Sequence, residues 1–313
     1  MSDYKDIQEL LQQKADLLAR LKLLPYEGSP EVKAQGGKRY LYMRRRVAGK
    51  LTSEYVDIYS DALYQLLLAN AREARSLRKD LRRVEKALTA AGYTQQVLAA
   101  DVQRNLDFAR ANMKVSIYEQ AVLEGVATTF PQTEEIIDNG KIHGVTASDV
   151  QKILNLKHAW EFILDVDVLN YPSGFSLLSH IAGLINEGFY TNGGRLRGVP
   201  VTIGGSSYVP PLPYEPDVKA ELRELLEATA GQPVDTAIKL CLYIMKAQLF
   251  NDGNKRTAIL FANHYLIAHA GGLLVVPEDA VPTFKRLLVG YYETQEDDTL
   301  PRFMLDHCWR PLT

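Results

Sequence analysis

From Gln248 to Ala258 the chain reads Gln-Leu-Phe-Asn-Asp-Gly-Asn-Lys-Arg-Thr-Ala, which crowds a carboxylate, a glycine, an amide and two cations at the start of an apolar run. Those residue types suit a polyphosphate ligand. Gly253 lets backbone approach a ligand closely, a helix start attracts anions, and Lys255 and Arg256 supply donors to phosphate oxygens. Asp252 suits a magnesium ion that bridges those oxygens. Taken singly, Asp252-Gly253-Asn254 is an ordinary turn and helix cap, and Gln248 an ordinary polar loop residue. Their order before two cations and an apolar helix points to a site.

Two helices must hold such a loop. Val234 to Ala247 is hydrophobic nearly all round, with Ile238, Leu240, Cys241, Leu242, Ile244 and Met245, as a buried central helix is. Asn254 to His269 continues as the next helix and ends at Gly271-Gly272, an ordinary stop. Upstream, Gly193 to Pro213 alternates Val199, Val201 and Ile203, then turns at Gly204-Gly205 before a proline run, the pattern of a β-hairpin. Further upstream, Ser116 to Thr129 is helical and meets a break at Glu124-Gly125.

Phe250, Asp252, Gly253, Asn254 and Arg256 match the pattern His-Pro-Phe-x-Asp/Glu-Gly-Asn-Gly-Arg-x-x-Arg, while Lys255, Arg256, Thr257 and Ala258 match His-x-Phe-x-Asp-Ala-Asn-Lys-Arg-Thr-Ala. The stretch therefore resembles the Fic/Doc family, the first pattern being that of Fic proteins, which transfer AMP to protein hydroxyls, and the second that of the kinase-like Doc branch. The resemblance runs over residues 114–290 and implies a mostly α fold, a Fic-type helical core with a β-hairpin flap at 193–213. It implies ATP and Mg²⁺ as cofactors and a protein target added as an extra strand along Val201, Ile203, Gly204 and Gly205. By the same resemblance Phe250 fixes the loop, Asp252 ligates magnesium, Gly253 and Asn254 form the anion pocket, and Arg256 holds the outer phosphates. Lys255 replaces a glycine of the Fic pattern.

The departures bear on activity. Gln248 stands where the family has its catalytic histidine, and an amide has no protonation equilibrium near neutral pH with which to act as general base. His264 is a poor substitute, about 15 Å along the axis of the following helix. Residues 114–125 resemble the inhibitory helix of many Fic proteins, Ser/Thr-x-x-x-Glu-Gly/Asn, with Glu124 and Gly125 matching and Gln120 at the Ser/Thr position. The last arginine of the motif, the usual partner of that glutamate, is Ile259 here, which leaves Arg256 or Lys255 to pair with Glu124. Slow transfer of AMP or another nucleotide or phosphate group to a protein is one reading. A catalytically inactive binding module, a pseudoenzyme, is another. A Doc-like kinase toxin of a toxin–antitoxin pair, and removal of AMP with Glu124 orienting water, are weaker ones.

The rest of the 313 residues is 46% apolar and 24% charged, as in an ordinary soluble protein of two domains. Residues 1–93 carry 18 Lys/Arg against 12 Asp/Glu, a balance of +6, and the remainder 18 against 26, a balance of −8. An N-terminal arm (1–93) and a Fic-like domain (94–313) are expected. In the arm, Asp3 to Leu24 reads as an amphipathic helix and Asp61 to Ala91 as a long helix pairing with it. Between them Lys38 to Tyr59 reads as a β-hairpin, with Lys38, Arg39, Arg44, Arg45, Arg46 and Lys50 around Tyr40 and Tyr42. Basic residues interleaved with aromatics suit a nucleic-acid backbone; a sheet edge guarded by charge is the plainer reading. Cys241 and Cys308 sit in apolar surroundings without metal-ligand spacing, as reduced buried thiols do. With no membrane span or signal-peptide core in the pattern, the cytoplasm is the default location. Self-association is left open.

Overall fold

The computed structural model describes residues 2–139, 144–228, 231–294 and 298–312, with backbone alone for 2–6 and 139. The chain forms two compact units, Met1–Gln95 with Asp138–Gly140, and Gln96–Ile137 with Lys141–Thr313.

In the first unit α1 (Ser2–Leu23) buries Leu11, Ala15, Leu17 and Ala19 and stops before Pro25. Three antiparallel strands follow, β1 (Ser29–Gln35), β2 (Lys38–Val47) and β3 (Lys50–Ile58), in the order β1-β2-β3. Periodicity at Lys38–Tyr59 predicts only the β2–β3 pair; β1 is the addition. Its residues are mostly exposed and include Pro30, so no apolar alternation announces it. One face of β2 carries Leu41 and Met43 into a small core with Leu67. Leu67 belongs to α2 (Asp61–Ala90), capped by the Ser60 hydroxyl, which accepts from the Leu63 N–H at 3.2 Å. α2 packs along α1, as the matching apolar spacings require.

The second unit is helical: α3 (Ala100–Leu123), α4 (Phe130–Asn139), α5 (Ala147–Ile163), α6 (Val166–Leu169), α7 (Phe175–Ile185), α8 (Glu215–Ala228), α9 (Pro233–Ala247) and α10 (Asn254–Ala268). A two-residue strand β4 (Leu273–Leu274), α11 (Val281–Glu293), α12 (Thr299–Phe303) and β5 (Trp309–Arg310) complete it. α10 is the axis: Arg256 to Ile267 are all buried, and the helix contacts α3, α5, α7 and α9. The apolar runs of α9 and α10 are each buried on most sides for that reason. Among the described residues no helix is long and apolar enough to cross a membrane.

The segment 193–213 departs from the expected hairpin. Its turn is present, with the Ser206 N–H donating to the Ile203 carbonyl at 3.2 Å and Gly205 at φ 82°, but no strand forms on either side. Two causes are visible. The prolines at 210, 211 and 213 lack the N–H a ladder needs, and the carbonyls of Val199, Pro210 and Pro211 are taken by the Arg197 guanidinium.

Cys241 and Cys308 are buried free thiols, and burial raises the pKa of both, Cys308 to about 12. His264 is fully buried in α10, held by the Ser173 hydroxyl at 3.0 Å on Nδ1 and the Val168 carbonyl at 2.9 Å on Nε2. Burial lowers its pKa to about 4 from 6.5, so it is a neutral structural residue. Because the folded value lies below the unfolded one, its contribution to stability is complete above pH 6.5 and is lost as the pH falls toward 4. Thermal denaturation between pH 7 and 4 should show this loss, and His264→Gln should flatten that part of the profile.

Candidate functional site

The loop from Gln248 to Gly253 reverses the chain between α9 and α10. Gln248 closes α9 in the left-handed region, at φ 45° and ψ 56°. A residue with a Cβ there costs about 1–2 kcal/mol. Its side chain works against that cost: Nε2 donates to the Met245 carbonyl at 2.6 Å, and Oε1 accepts from Asn254 Nδ2 at 3.2 Å. Asn254 Nδ2 also donates to the Phe250 carbonyl at 2.8 Å, and Asn254 Oδ1 accepts from the Phe250 N–H at 2.9 Å. Phe250 itself is fully buried, and burying such a ring contributes about 3 kcal/mol.

Asn254 is therefore a clamp. Its carboxamide is occupied inside the loop and its side chain is unavailable for the anion pocket in which the resemblance puts it. What Asn254 can offer an anion is its backbone N–H, with those of Lys255 and Arg256, at the start of α10. The first intrahelical bond runs from the Thr257 N–H to the Gly253 carbonyl at 2.9 Å, so these three amides precede the ladder.

Gly253 has φ 71°, and a Cβ there would lie 2.6 Å from Ile185 Cγ2 and 3.1 Å from Asn186 Oδ1. Glycine is required on both counts. Its N–H donates to Asp252 Oδ1 at 2.6 Å, while Asp252 Oδ2 faces Arg256 Nη2 at 3.5 Å. The Asp252 side chain stays 49% exposed, enough for one carboxylate oxygen to reach a cation that arrives with a ligand. Among the described residues no group of three or more His, Cys, Asp or Glu side chains is placed to hold a metal by itself.

Arg256 is 2% exposed, yet among the described residues its Nε and Nη1 have no hydrogen-bond partner, and neither does Glu124 Oε1. Glu124, the residue that caps α3, lies 3.8 Å from Arg256 Nε and 3.6 Å from Lys255 Nζ. These are ion pairs too long to be hydrogen bonds. Gly125 follows with φ 79° and ends the helix. The sequence leaves Glu124 a choice between Arg256 and Lys255; in the fold it meets both.

α3 is moored to its surroundings at several points. Gln120 Nε2 donates to the Arg256 carbonyl at 2.8 Å, and Gln120 Oε1 accepts from Trp160 Nε1 at 3.2 Å. Near its start the Asn105 carboxamide exchanges two bonds with Gly272, and near its end both Glu119 oxygens accept from Arg310 Nη2 at 2.7 Å.

Two residues that the sequence does not single out organise the loop. Arg197, 2% exposed, donates from Nε to the Gln248 carbonyl at 2.5 Å, from Nη1 to Val199 at 2.9 Å, and from Nη2 to Pro210 at 3.1 Å and Pro211 at 2.6 Å. Its own N–H donates to the Leu249 carbonyl at 3.0 Å. Burial pulls the guanidinium below its usual pKa. Asn186 Nδ2 donates to the Asp252 carbonyl at 3.0 Å and to Gly193 at 3.2 Å. Nothing local distinguishes Arg197 from Arg195, because the acceptors of Arg197 come from three separate stretches of chain.

Val201 and Ile203 are half-buried and Gly204 and Gly205 exposed, on a loop tied by Ser206 and Ser207 to the Glu293 carboxylate of α11. A pocket of about 700 Å³ opens beside this loop, lined among others by Tyr208, Leu212, Tyr214, Tyr243, Lys246 and Tyr291. Asp252, Lys255 and Arg256 do not line it, so the loop from Gln248 to Gly253 and the start of α10 lie apart from this pocket.

The Fic/DOC family model matches residues 175–266, from the start of α7 to near the end of α10, and the chain carries a Fic/DOC domain there. Residues 4–65 match a domain of unknown function, DUF6788. No curated protein matches the chain by sequence. A Fic family protein from Desulfovibrio desulfuricans G20 superposes with a TM-score of 0.52 at 20% identity, over 68% of this chain and 74% of that one. A Fic domain containing signaling protein from Bacteroides thetaiotaomicron VPI-5482 gives 0.51 at 18% identity, over 62% and 76%. A single-substitution form of Fic-1 from C. elegans gives 0.51 at 18% identity, over 79% and 74%. At these identities the likeness shows the fold.

Two substitutions test the loop. Arg197→Ala strands four carbonyls and should lower stability by about 3 kcal/mol in urea denaturation, with new protease cleavage between residues 198 and 209. Arg197→Lys should recover little, since an ammonium lacks the planar fork. Gly253→Ala should cost about 2 kcal/mol or more through its positive φ and its clash with Ile185.

Proposed function

We propose that the Fic domain binds ATP with Mg²⁺ and transfers its AMP, or another phosphate-containing part of it, to a protein hydroxyl at an attenuated rate. The observation that carries this reading is Arg256, a buried guanidinium whose Nε and Nη1 have no hydrogen-bond partner among the described residues, beside the amides that precede the ladder at the start of α10. A buried cation with unused donors costs several kcal/mol of solvation, and phosphate oxygens are acceptors that offset it. The residues fit the metal: Asp252 offers one half-exposed carboxylate, which suits an ion that brings the phosphates and waters as its remaining ligands. Bound there, Mg²⁺ would neutralise charge on the phosphates.

The chain's own residues divide the work. The amides of Asn254, Lys255 and Arg256 and the Arg256 guanidinium hold phosphate oxygens; the Lys255 ammonium adds charge at the mouth of the site. The acceptor protein lies against Val201, Ile203, Gly204 and Gly205, which offer backbone groups for strand addition. Gln248 accepts no proton. Its Nε2 and Oε1 are bonded to Met245 and Asn254, so the hydroxyl has to lose its proton to solvent. Glu124 regulates: it holds the cations the phosphates need, and nucleotide binding displaces it.

The bonded state of Gln248 also favours a second reading, a Fic-fold module that binds nucleotide or a protein partner without turnover. One experiment separates the two. Lysate is labelled with α- and γ-labelled ATP and Mg²⁺ in parallel by the natural chain, Gln248→His and Arg256→Ala. Transfer by the natural chain that disappears in Arg256→Ala supports the transferase, and the labelled phosphorus says whether AMP or phosphate moves. Gln248→His should raise the rate by about 10²- to 10⁴-fold, the usual contribution of a general base. Label only from Gln248→His would establish the binding module instead. Glu124→Gly should raise labelling by about tenfold if the carboxylate competes with phosphate.

A further inference from the structure

The sheet of the first unit presents a face that its own core does not use. Residues opposite one another in an antiparallel pair share a face, and the register puts Tyr40, Tyr42, Arg44 and Arg46 of β2 with Tyr55 and Leu51 of β3 and Lys33 of β1. Leu41 and Met43, on the opposite face, fill the core. The three tyrosines form one cluster, Tyr42 to Tyr55 at 5.6 Å between centroids and Tyr40 to Tyr55 at 6.3 Å, with the Lys33 ammonium 4.4 Å above the Tyr42 ring. Tyr55 is 52% exposed and Leu51 59%. Arg44 and Arg46 are exposed on the same face and take part in no salt bridge among the described residues. One acid shares the face, Glu31, and it is engaged by the Ser53 hydroxyl at 2.7 Å and by Lys33 at 3.6 Å.

We infer that this face binds single-stranded nucleic acid, with bases stacked on the tyrosines and the backbone along Lys33, Lys38, Arg44 and Arg46. The inference stands apart from the nucleotide site and does not depend on it. Three tyrosines ringed by cations have the two components such binding uses, sequence-tolerant stacking and an electrostatic track. A duplex fits less well. Its major groove admits a helix or a two-stranded ribbon, whereas this is the broad face of a three-stranded sheet, and paired bases keep their faces to themselves. The unit's excess of +6 charges, 18 Lys/Arg against 12 Asp/Glu over residues 1–93, has the right sign.

The test is fluorescence anisotropy with labelled 20-mers of oligo(dT) and oligo(U) and a blunt duplex of the same length, using the full chain at low salt. Both single strands, or one of them, should bind more tightly than the duplex, the better one naming the sugar. Tyr55→Ala should weaken binding about tenfold, with Tyr55→Phe close to the natural chain. Arg44→Gln with Arg46→Gln, both exposed and outside the core, should reduce the salt slope of log K by about 1.4. Circular dichroism melts of each variant separate lost binding from lost folding. Three results would overturn the inference: no single strand bound at micromolar protein, duplex bound as tightly, or binding unchanged in the well-folded Tyr55→Ala and double-arginine variants.

Discussion

The turn between α9 and α10 joins two buried helices, and much of it is buried with them: Leu249, Phe250, Gly253 and Asn254 are inside, while Asn251 and Asp252 reach the surface. The buried carbonyls of the turn need partners, and side chains supply them. Asn254 answers from within, closing Phe250 and Gln248 onto the first turn of α10. Arg197 and Asn186 answer from outside, the first on Gln248 and the second on Asp252. The left-handed conformations of Gln248 and Gly253 persist because these bonds determine them several times over.

Against that rigid frame the charged groups stand out as poorly satisfied. Arg256, Lys255 and Glu124 are held at ion-pair distance without good hydrogen bonds, and donors and acceptors among them are left over. The difference has a physical meaning. Groups that set the shape of the loop are saturated, whereas Arg256, Lys255 and Glu124 meet one another only at ion-pair distance. α3, which ends at Glu124, is itself fixed by the bonds of Gln120, Glu119 and Asn105.

The two units differ in electrostatics as well as in architecture. The first is basic and gathers tyrosines and cations on one sheet face; the second is acidic and concentrates its unpaired cationic donors at a single helix start. The two clusters use charge differently. On the sheet the cations are exposed and solvated, so their pull is weak, long-ranged and sensitive to salt. In the helical unit Arg256 is shielded from water and faces Glu124, so its charge acts at short range.

Much of this was legible in the chain. The extents of α1, α2, α9 and α10 follow from apolar spacing, with Pro25 and Gly271 as stops, because helix periodicity and termination are local properties. The motif residues Phe250, Asp252, Gly253 and Arg256 were visible for the same reason: their order in sequence is their order around one turn. Tertiary structure alone decided the rest. The alternation at 199–203 suggests a strand, but Arg197 and the prolines take away the carbonyls and amides a ladder would need. Sequence does not show that the Asn254 carboxamide is bonded inside the loop, leaving its backbone N–H as the group it can offer a ligand. Strand β1, the role of Arg197 and the shared face of Tyr40, Tyr42 and Tyr55 all arise between residues distant in sequence, where pairing register and burial, rather than local propensity, fix which groups meet.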